Sequence, residues 1–202
     1  HATPPATQLS TLTGTTLESI GASVVALDDV DGDGFTDIAA GSIVENKVVL
    51  FSGASGERIW ETASETSGDH FGHALALLPD ISGDTIQEII VGAPQRGWGT
   101  AIGPGYVRVL SGATGATLLS FVGNNVGDNF GWSVASMADV SGDGSPEVIV
   151  GSPYEATDGF NAGRVYLYTV SDGSPIYTVQ GYTNLEAGYS LASFADATGD
   201  AV

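Results

Sequence analysis

The sequence predicts an all-β fold assembled from β-propeller blades, and three observations carry that prediction. An acidic nine-residue stretch recurs four times, opening at Asp29, Asp80, Asp139 and Asp196, at intervals of 51, 59 and 57 residues. Glycines keep register around it: Gly21, Gly72, Gly131 and Gly188 stand eight residues before the opening acid, and Gly41, Gly92 and Gly151 stand twelve after it. Between these marks lie short runs of apolar residues bounded by Gly, Ser, Asp and Asn, the punctuation of strands. A period of this size belongs to solenoids, propellers and arrays. Four strands per repeat, packed between neighbours, make a propeller blade.

Taken in order, residues 1 to 18 form a lead-in, polar around Pro4-Pro5, with Gln8 to Thr13 as a short strand ending a preceding blade. Residues 19–65, 66–122 and 123–181 are three complete four-stranded blades, and 182–202 begin a truncated fourth. In the third blade strand A is expected over Trp132 to Met137, B over Glu147 to Val150, C over Gly163 to Val170 and D over Ile176 to Gln180. Ser171-Asp172-Gly173 turns C into D, as Ser52 to Gly56 and Ser111 to Gly115 do earlier. Ile89-Ile90-Val91 and Val148-Ile149-Val150 are apolar throughout, as expected of strands covered on both faces. His70 and His73 are placed in a strand, facing opposite sides, which favours packing over a paired general base.

The recurring loop suggests calcium. In Asp29-Val30-Asp31-Gly32-Asp33-Gly34-Phe35-Thr36-Asp37 the acids stand at positions one, three, five and nine, and Phe35 offers its backbone carbonyl at position seven. Hard oxygen donors so spaced suit Ca²⁺ better than a transition metal. The opening resembles an EF-hand loop, which needs a Glu at position twelve and flanking helices; here position nine is the acid and strands flank it. The third loop offers Asp139, Ser141, Asp143, Ser145 and Glu147, with a hydroxyl replacing one carboxylate. The second offers Asp80, Ser82, Asp84, Ile86 and Glu88, but Thr85 takes the glycine's place at position six and disfavours a positive φ. The fourth keeps Asp196, Thr198 and Asp200 and lacks its closing acid. The alternative for each is an Asp/Gly-rich turn without metal. The expected role of the ion is structural, a clamp between strands A and B.

Charge narrows the partners. The chain has 24 acids against five basic residues, a formal net charge of −19, which disfavours nucleic acid reached through phosphates. Half of the acids lie in the four loops. There is no cysteine, hence no disulfide or thiolate site, and no apolar run long enough to span a membrane. The start at His1 reads as a processed end or an internal piece. Weak calcium loops suit the millimolar calcium outside cells, so an extracellular or cell-surface location is expected. No G-x-S-x-G, phosphate-cradling loop or free acid pair is found, and no catalytic residue is assigned.

Phe71-Gly72 and Phe130-Gly131, followed by Gly92-Ala93-Pro94 and Gly151-Ser152-Pro153 around the acidic loop, resemble FG-GAP repeats, the blades of integrin alpha-subunit propellers and of related bacterial secreted proteins. The resemblance covers residues 19 to 200, with Ile20-Gly21, Gly41-Ser42 and Ala187-Gly188 as softer copies. It implies a seven-bladed ring, of which this chain would be a fragment, with calcium loops on one face and partner-binding loops on the other. Association of chains through open blade edges is the other way to close such a ring. The B-to-C loops vary most, and Arg96, Trp98 and Tyr154 within them are the candidate contacts for a protein or carbohydrate ligand. Adhesion or partner binding without catalysis is therefore expected. The alternative is the scaffold of a secreted enzyme, since similar propellers occur in polysaccharide lyases and a phospholipase.

Overall fold

A computed structural model describes residues 19–96, 102–156 and 159–192. Twelve strands form three four-stranded antiparallel sheets, each in simple sequential order. The first blade holds β1 (Val24–Leu27), β2 (Asp37–Ser42), β3 (Lys47–Phe51) and β4 (Arg58–Ala63). The second holds β5 (Ala74–Leu78), β6 (Glu88–Ala93), β7 (Tyr106–Leu110) and β8 (Thr117–Val122). The third holds β9 (Ser133–Met137), β10 (Glu147–Ser152), β11 (Arg164–Thr169) and β12 (Pro175–Gln180). β5 packs beside β1 on one side and β9 on the other, so the first strands of the blades lie together and the fourth strands lie outermost. There is no helix among the described residues, and so none long and apolar enough to cross a membrane. The strand expected at residues 8–13 lies outside the described residues.

Why these residues form blades follows from what each strand must face. β6 and β10 are buried along their whole length. In β6, Ile89 and Val91 enter the apolar layer shared with the first blade, while Ile90 enters the layer shared with the third. A strand sandwiched in this way has no polar side to alternate with, hence the continuous apolar runs. The outermost β12 is largely exposed. Each third-to-fourth hairpin carries a register shift at the same place, between Leu50 and Phe51, Val109 and Leu110, and Leu167 and Tyr168. Such bulges increase the local twist. Strand B of the third blade runs two residues beyond the expected Val150, because Gly151 and Ser152 still pair with Val165 and Arg164.

The repeated glycines meet between blades. Gly72, Gly131 and Gly188 lie at φ +90°, +86° and +86°, in the left-handed region. The amides of Gly72 and Gly131 donate to the carbonyls of Gly92 and Gly151 in their own blades, at 3.2 and 3.0 Å. Their own carbonyls press on the preceding blade: a Cβ on Gly41 would lie 2.1 Å from the Gly72 oxygen, one on Gly92 2.1 Å from that of Gly131, and one on Gly151 2.0 Å from that of Gly188. Ser23 and Ser133 donate their hydroxyls to the Gly72 and Gly188 carbonyls, at 2.7 and 2.6 Å. Phe71 and Phe130, one residue earlier, are inserted fully into the interblade layers.

His70 and His73 are not in a strand. His70 has φ +61°, and the His73 amide donates to the His70 carbonyl at 3.0 Å, so both sit in the turn that sets Phe71 and Gly72. The left-handed His70 breaks any alternation, and the expectation of opposite strand faces is corrected accordingly.

Gly92 has an ordinary negative φ, so Gly92→Ala isolates the contact from backbone strain. Both neighbours are backbone and cannot rotate away. Chemical denaturation should show a loss of about 3 kcal/mol, the upper end of over-packing, and a loss under about 0.5 kcal/mol, typical of a surface change, would show that the blades do not meet there.

Candidate metal loops and the opposite loop face

Each A-to-B loop folds around its opening acid. Asp29 accepts the amides of Gly32, Asp33 and Gly34, at 2.7, 3.0 and 2.8 Å. Asp139 accepts those of Gly142 and Gly144, and Asp80 those of Gly83 and Thr85, at 2.7 and 2.8 Å in both loops. These bonds, from Gly144 and from Gly83 foremost, hold the carboxyls of Asp139 and Asp80 below their ordinary range. Thr85 adopts φ +76°, close to Gly144 at +85° and Gly34 at +92°. The loop geometry thus overrides the β-branched residue's preference, leaving Thr85 strained.

The closing acids are fully buried and turned toward backbone donors. Asp37 takes the Val30 amide at 2.8 Å and the Gly53 amide at 2.9 Å, joining the start of the loop to the C-to-D turn. Glu88 does the same with Ile81, Ser82 and Gly112. Glu147 takes the amides of Val140 and Ser141, and in the third blade Asp143 reaches the hairpin. Asp143 accepts hydroxyls from Thr169 and Ser171 at 2.6 and 2.7 Å, which with the Ser145 amide hold its carboxyl down at about 2. Asp33 likewise turns to the Ser52 hydroxyl, at 2.9 Å.

Oxygens of Asp29, Asp31 and Asp37 gather within 4.8 Å of one another, and so do those of Asp139, Asp143 and Glu147. Asp33 is outside the first group, and Asp80, Asp84 and Glu88 form no such group. Phe35 is exposed at the loop tip, Ile86 and Ser145 occupy the same position in their loops, and Ser82 and Ser141 direct their hydroxyls to Asp80 and Asp139, both at 3.3 Å. Asp196, Thr198 and Asp200 lie outside the described residues. The gathered donors are all carboxylate oxygen; Asp29 Oδ1 and Asp143 Oδ2 each accept two hydrogen bonds, whereas Asp29 Oδ2 and both oxygens of Asp37 and of Glu147 accept one apiece and so keep a lone pair for a cation. That donor set fits a hard divalent cation.

The other ends of the blades are tied differently. The Gln95 and Tyr154 amides donate to the Asp69 and Asp128 carbonyls, joining B-to-C loops to D-to-A loops. Asp69 is buried and accepts the Ser64 and Tyr106 hydroxyls and the Phe71 amide. In the third blade Glu155 accepts the Tyr166 hydroxyl at 2.5 Å and pairs with Arg164 at 3.2 Å. These networks were not anticipated, although an acid two residues before each Phe-Gly, at Asp69 and Asp128, was visible in the repeat. Arg96 is exposed and stacks 4.1 Å over the Trp132 ring, which Tyr154 meets edge-on at 5.6 Å and His73 at 4.9 Å. Trp98 lies outside the described residues.

Sequential four-stranded blades with acidic loops at one end define a β-propeller protein. The FG-GAP repeat family model matches residues 130–168. Integrin alpha-5 of Xenopus laevis is 30% identical over 145 residues, which is 67% of this chain and 13% of that protein. Integrin alpha-V of Gallus gallus is 25% identical over 154 residues, 71% of this chain and 15% of that protein. The chain belongs to the FG-GAP repeat, integrin alpha-like family, and spans about a seventh of the length of these relatives. Among solved structures, that of U3-55K aligns with a TM-score of 0.53 at 14% identity, over 84% of this chain and 41% of that one, a likeness of fold alone.

Two outcomes follow. Thr85→Gly should raise stability by about 1 kcal/mol, relief of the left-handed strain less the added unfolded-state entropy, and denaturant melts showing a loss would place the Thr85 side chain in a favourable contact. Burial, then Arg96, then His70 push the His73 imidazole down to about 4. Between pH 6.5 and about 4 the unfolded chain therefore binds the extra proton, so the stability from neutral His73 is complete above 6.5 and lost as pH falls through this window. The ring keeps part of its solvent access, so the expected loss is about 1–2 kcal/mol relative to His73→Gln. Parallel pH profiles of the two proteins would contradict it.

Proposed function

We propose that this chain is a calcium-stabilised segment of a secreted or cell-surface FG-GAP propeller that binds partners through its B-to-C and D-to-A loops, without catalysis. Its blades occupy residues 19–65, 66–122 and 123–181, within a ring of seven. The observation that carries the metal reading is the gathering of Asp29, Asp31 and Asp37 oxygens, repeated by Asp139, Asp143 and Glu147. Asp33, Asp80, Ser82, Asp84, Glu88 and Ser141, the carbonyls of Phe35, Ile86 and Ser145, and the partial set Asp196, Thr198 and Asp200 complete the candidate ligands. Bound Ca²⁺ would supply positive charge where exposed carboxylates crowd. The residues themselves bring the loop, strand B and the C-to-D turn to one point, so a cation there stabilises the folded arrangement over the unfolded chain.

Membership in an integrin alpha-like family supports adhesion, and the net charge of −19 supports a protein or carbohydrate ligand over nucleic acid. Arg96 and Tyr154, both against Trp132, with Trp98 in the same loop, are the proposed contacts.

Thermal melts in chelator and across a calcium titration test the metal. At free calcium ten times Kd each site adds about 1.4 kcal/mol, a rise of roughly 3–6 °C. Asp31→Ala, exposed and outside the closing-acid network, should lose the first loop's share. Equal melting temperatures with and without calcium would refute the proposal.

A further inference from the structure

In a chain this acidic the basic side chains have a choice of acids, and among the described residues Arg108 takes none. Lys47 and Arg58 pair with Glu61 at 3.3 and 3.1 Å, Arg164 pairs with Glu155, and Arg96 lies on Trp132. The Arg108 guanidinium has neither an ion pair nor a hydrogen bond among the described residues, although its backbone pairs within the sheet. It lies instead against two rings, its guanidinium carbon 5.5 Å from the centre of Phe71 and 5.2 Å from that of Tyr106. Those rings stack on each other at 6.1 Å with 19° between planes, so the cation rests on a fixed support. Asp69 is not its counterion, being committed to Ser64, Phe71 and the Tyr106 hydroxyl.

The guanidinium opens into a cavity of about 360 Å³, at the small end of ligand sites. Around it stand Thr66, Gln95 and Ser120, with Val122 and the Tyr106 ring as apolar wall. Ser120 lies opposite Arg108 in the β7–β8 register. Gln95 is fixed by its oxygen, which accepts the Gly105 amide at 3.0 Å. An Arg fork is matched to a carboxylate. Hydroxyls and an amide beside an apolar wall are matched to a ring that is hydroxylated at its edge and carbon-hydrogen on its face.

We infer that this cavity binds a carboxylate-bearing sugar, with Arg108 on the carboxylate and Thr66, Gln95 and Ser120 on the ring hydroxyls. Thr66 and Gln95 belong to the loop face proposed above for partner binding, but the site needs no metal and none of Arg96, Trp98 and Tyr154, so its variants test it separately. The chain's negative charge does not forbid an anion here, because exposed charges beyond about 8 Å are screened at physiological salt.

The test is an amide NMR titration of the full chain with sodium galacturonate up to about 20 mM, reaching the millimolar affinity of a small polar site, beside galactose and sodium acetate. The expected result is shifts at Gly105, Ser120 and Val122 for galacturonate, with galactose and acetate each at least ten-fold weaker. Arg108→Gln should weaken binding at least ten-fold. Because Arg108 also supports Phe71, Ser120→Ala, an exposed change, is the second variant and should weaken galacturonate about three-fold while leaving acetate unchanged. Absence of shifts, equal response to galactose or acetate, or unchanged binding in both variants would overturn the inference.

Discussion

The contact on which the rest of this structure depends is a backbone oxygen of one blade lying on the bare Cα of the next. Gly72 on Gly41, Gly131 on Gly92 and Gly188 on Gly151 repeat it with nearly the same separation. No side chain fits there, so blades can approach closely only at a glycine pair. Once they do, the residue before the upper glycine is carried into the gap, and Phe71 and Phe130 fill it. The same left-handed turn aims the glycine amide at its own second strand, so a single feature fixes both the position of a blade and the entry of its first strand.

A second consequence concerns charge. Burying carboxylates is unfavourable unless each finds donors, yet Asp37, Glu88, Glu147 and Asp69 are wholly buried. Their partners are mostly backbone amides left over where strands turn, which is why the acids sit at blade ends. The nine-residue loop divides its acids: the first organises the loop, the last clips it to strand B, and the fifth, in the first and third blades, reaches the neighbouring hairpin. The negative charge left exposed at the loop tips is what a divalent cation can still improve.

Fold and loops were legible in the sequence because repetition multiplies weak signals. One Gly-Ala-Pro says little; glycines at constant offsets from four acids exclude most alternatives. What stayed hidden was whatever depends on contact between distant segments. Thr85 argued against a left-handed residue, and local reasoning could not know that the Asp80 carboxylate pulls its amide into place. His70 and His73 were misplaced because alternation was assumed across a turn whose left-handed His70 breaks it. The turning of Asp33 to Ser52 and the stacking of Arg96 on Trp132 join residues 19 and 36 positions apart, beyond any local pattern.

The two ends of the blades are unlike in charge as well as in repetition. The acidic loops and the C-to-D turns share one end. Lys47 and Arg164 open third strands and Arg96 follows a second strand, all at the other end, and Arg108, in the middle of β7, lies beside Thr66 and Gln95 of the loops there. Three of these four lie on aromatic rings, Trp132, Phe71 with Tyr106, and Tyr166, which holds a cation in place, and Arg164 is held further by Glu155 and Gln180. A chain with so few bases has therefore gathered most of them at or near the ends where its loops vary. The end that carries the nine-residue loops is built to a repeated pattern, whereas the other end differs from blade to blade, with Asp69 bonded to Tyr106 in the second and Glu155 to Tyr166 and Arg164 in the third.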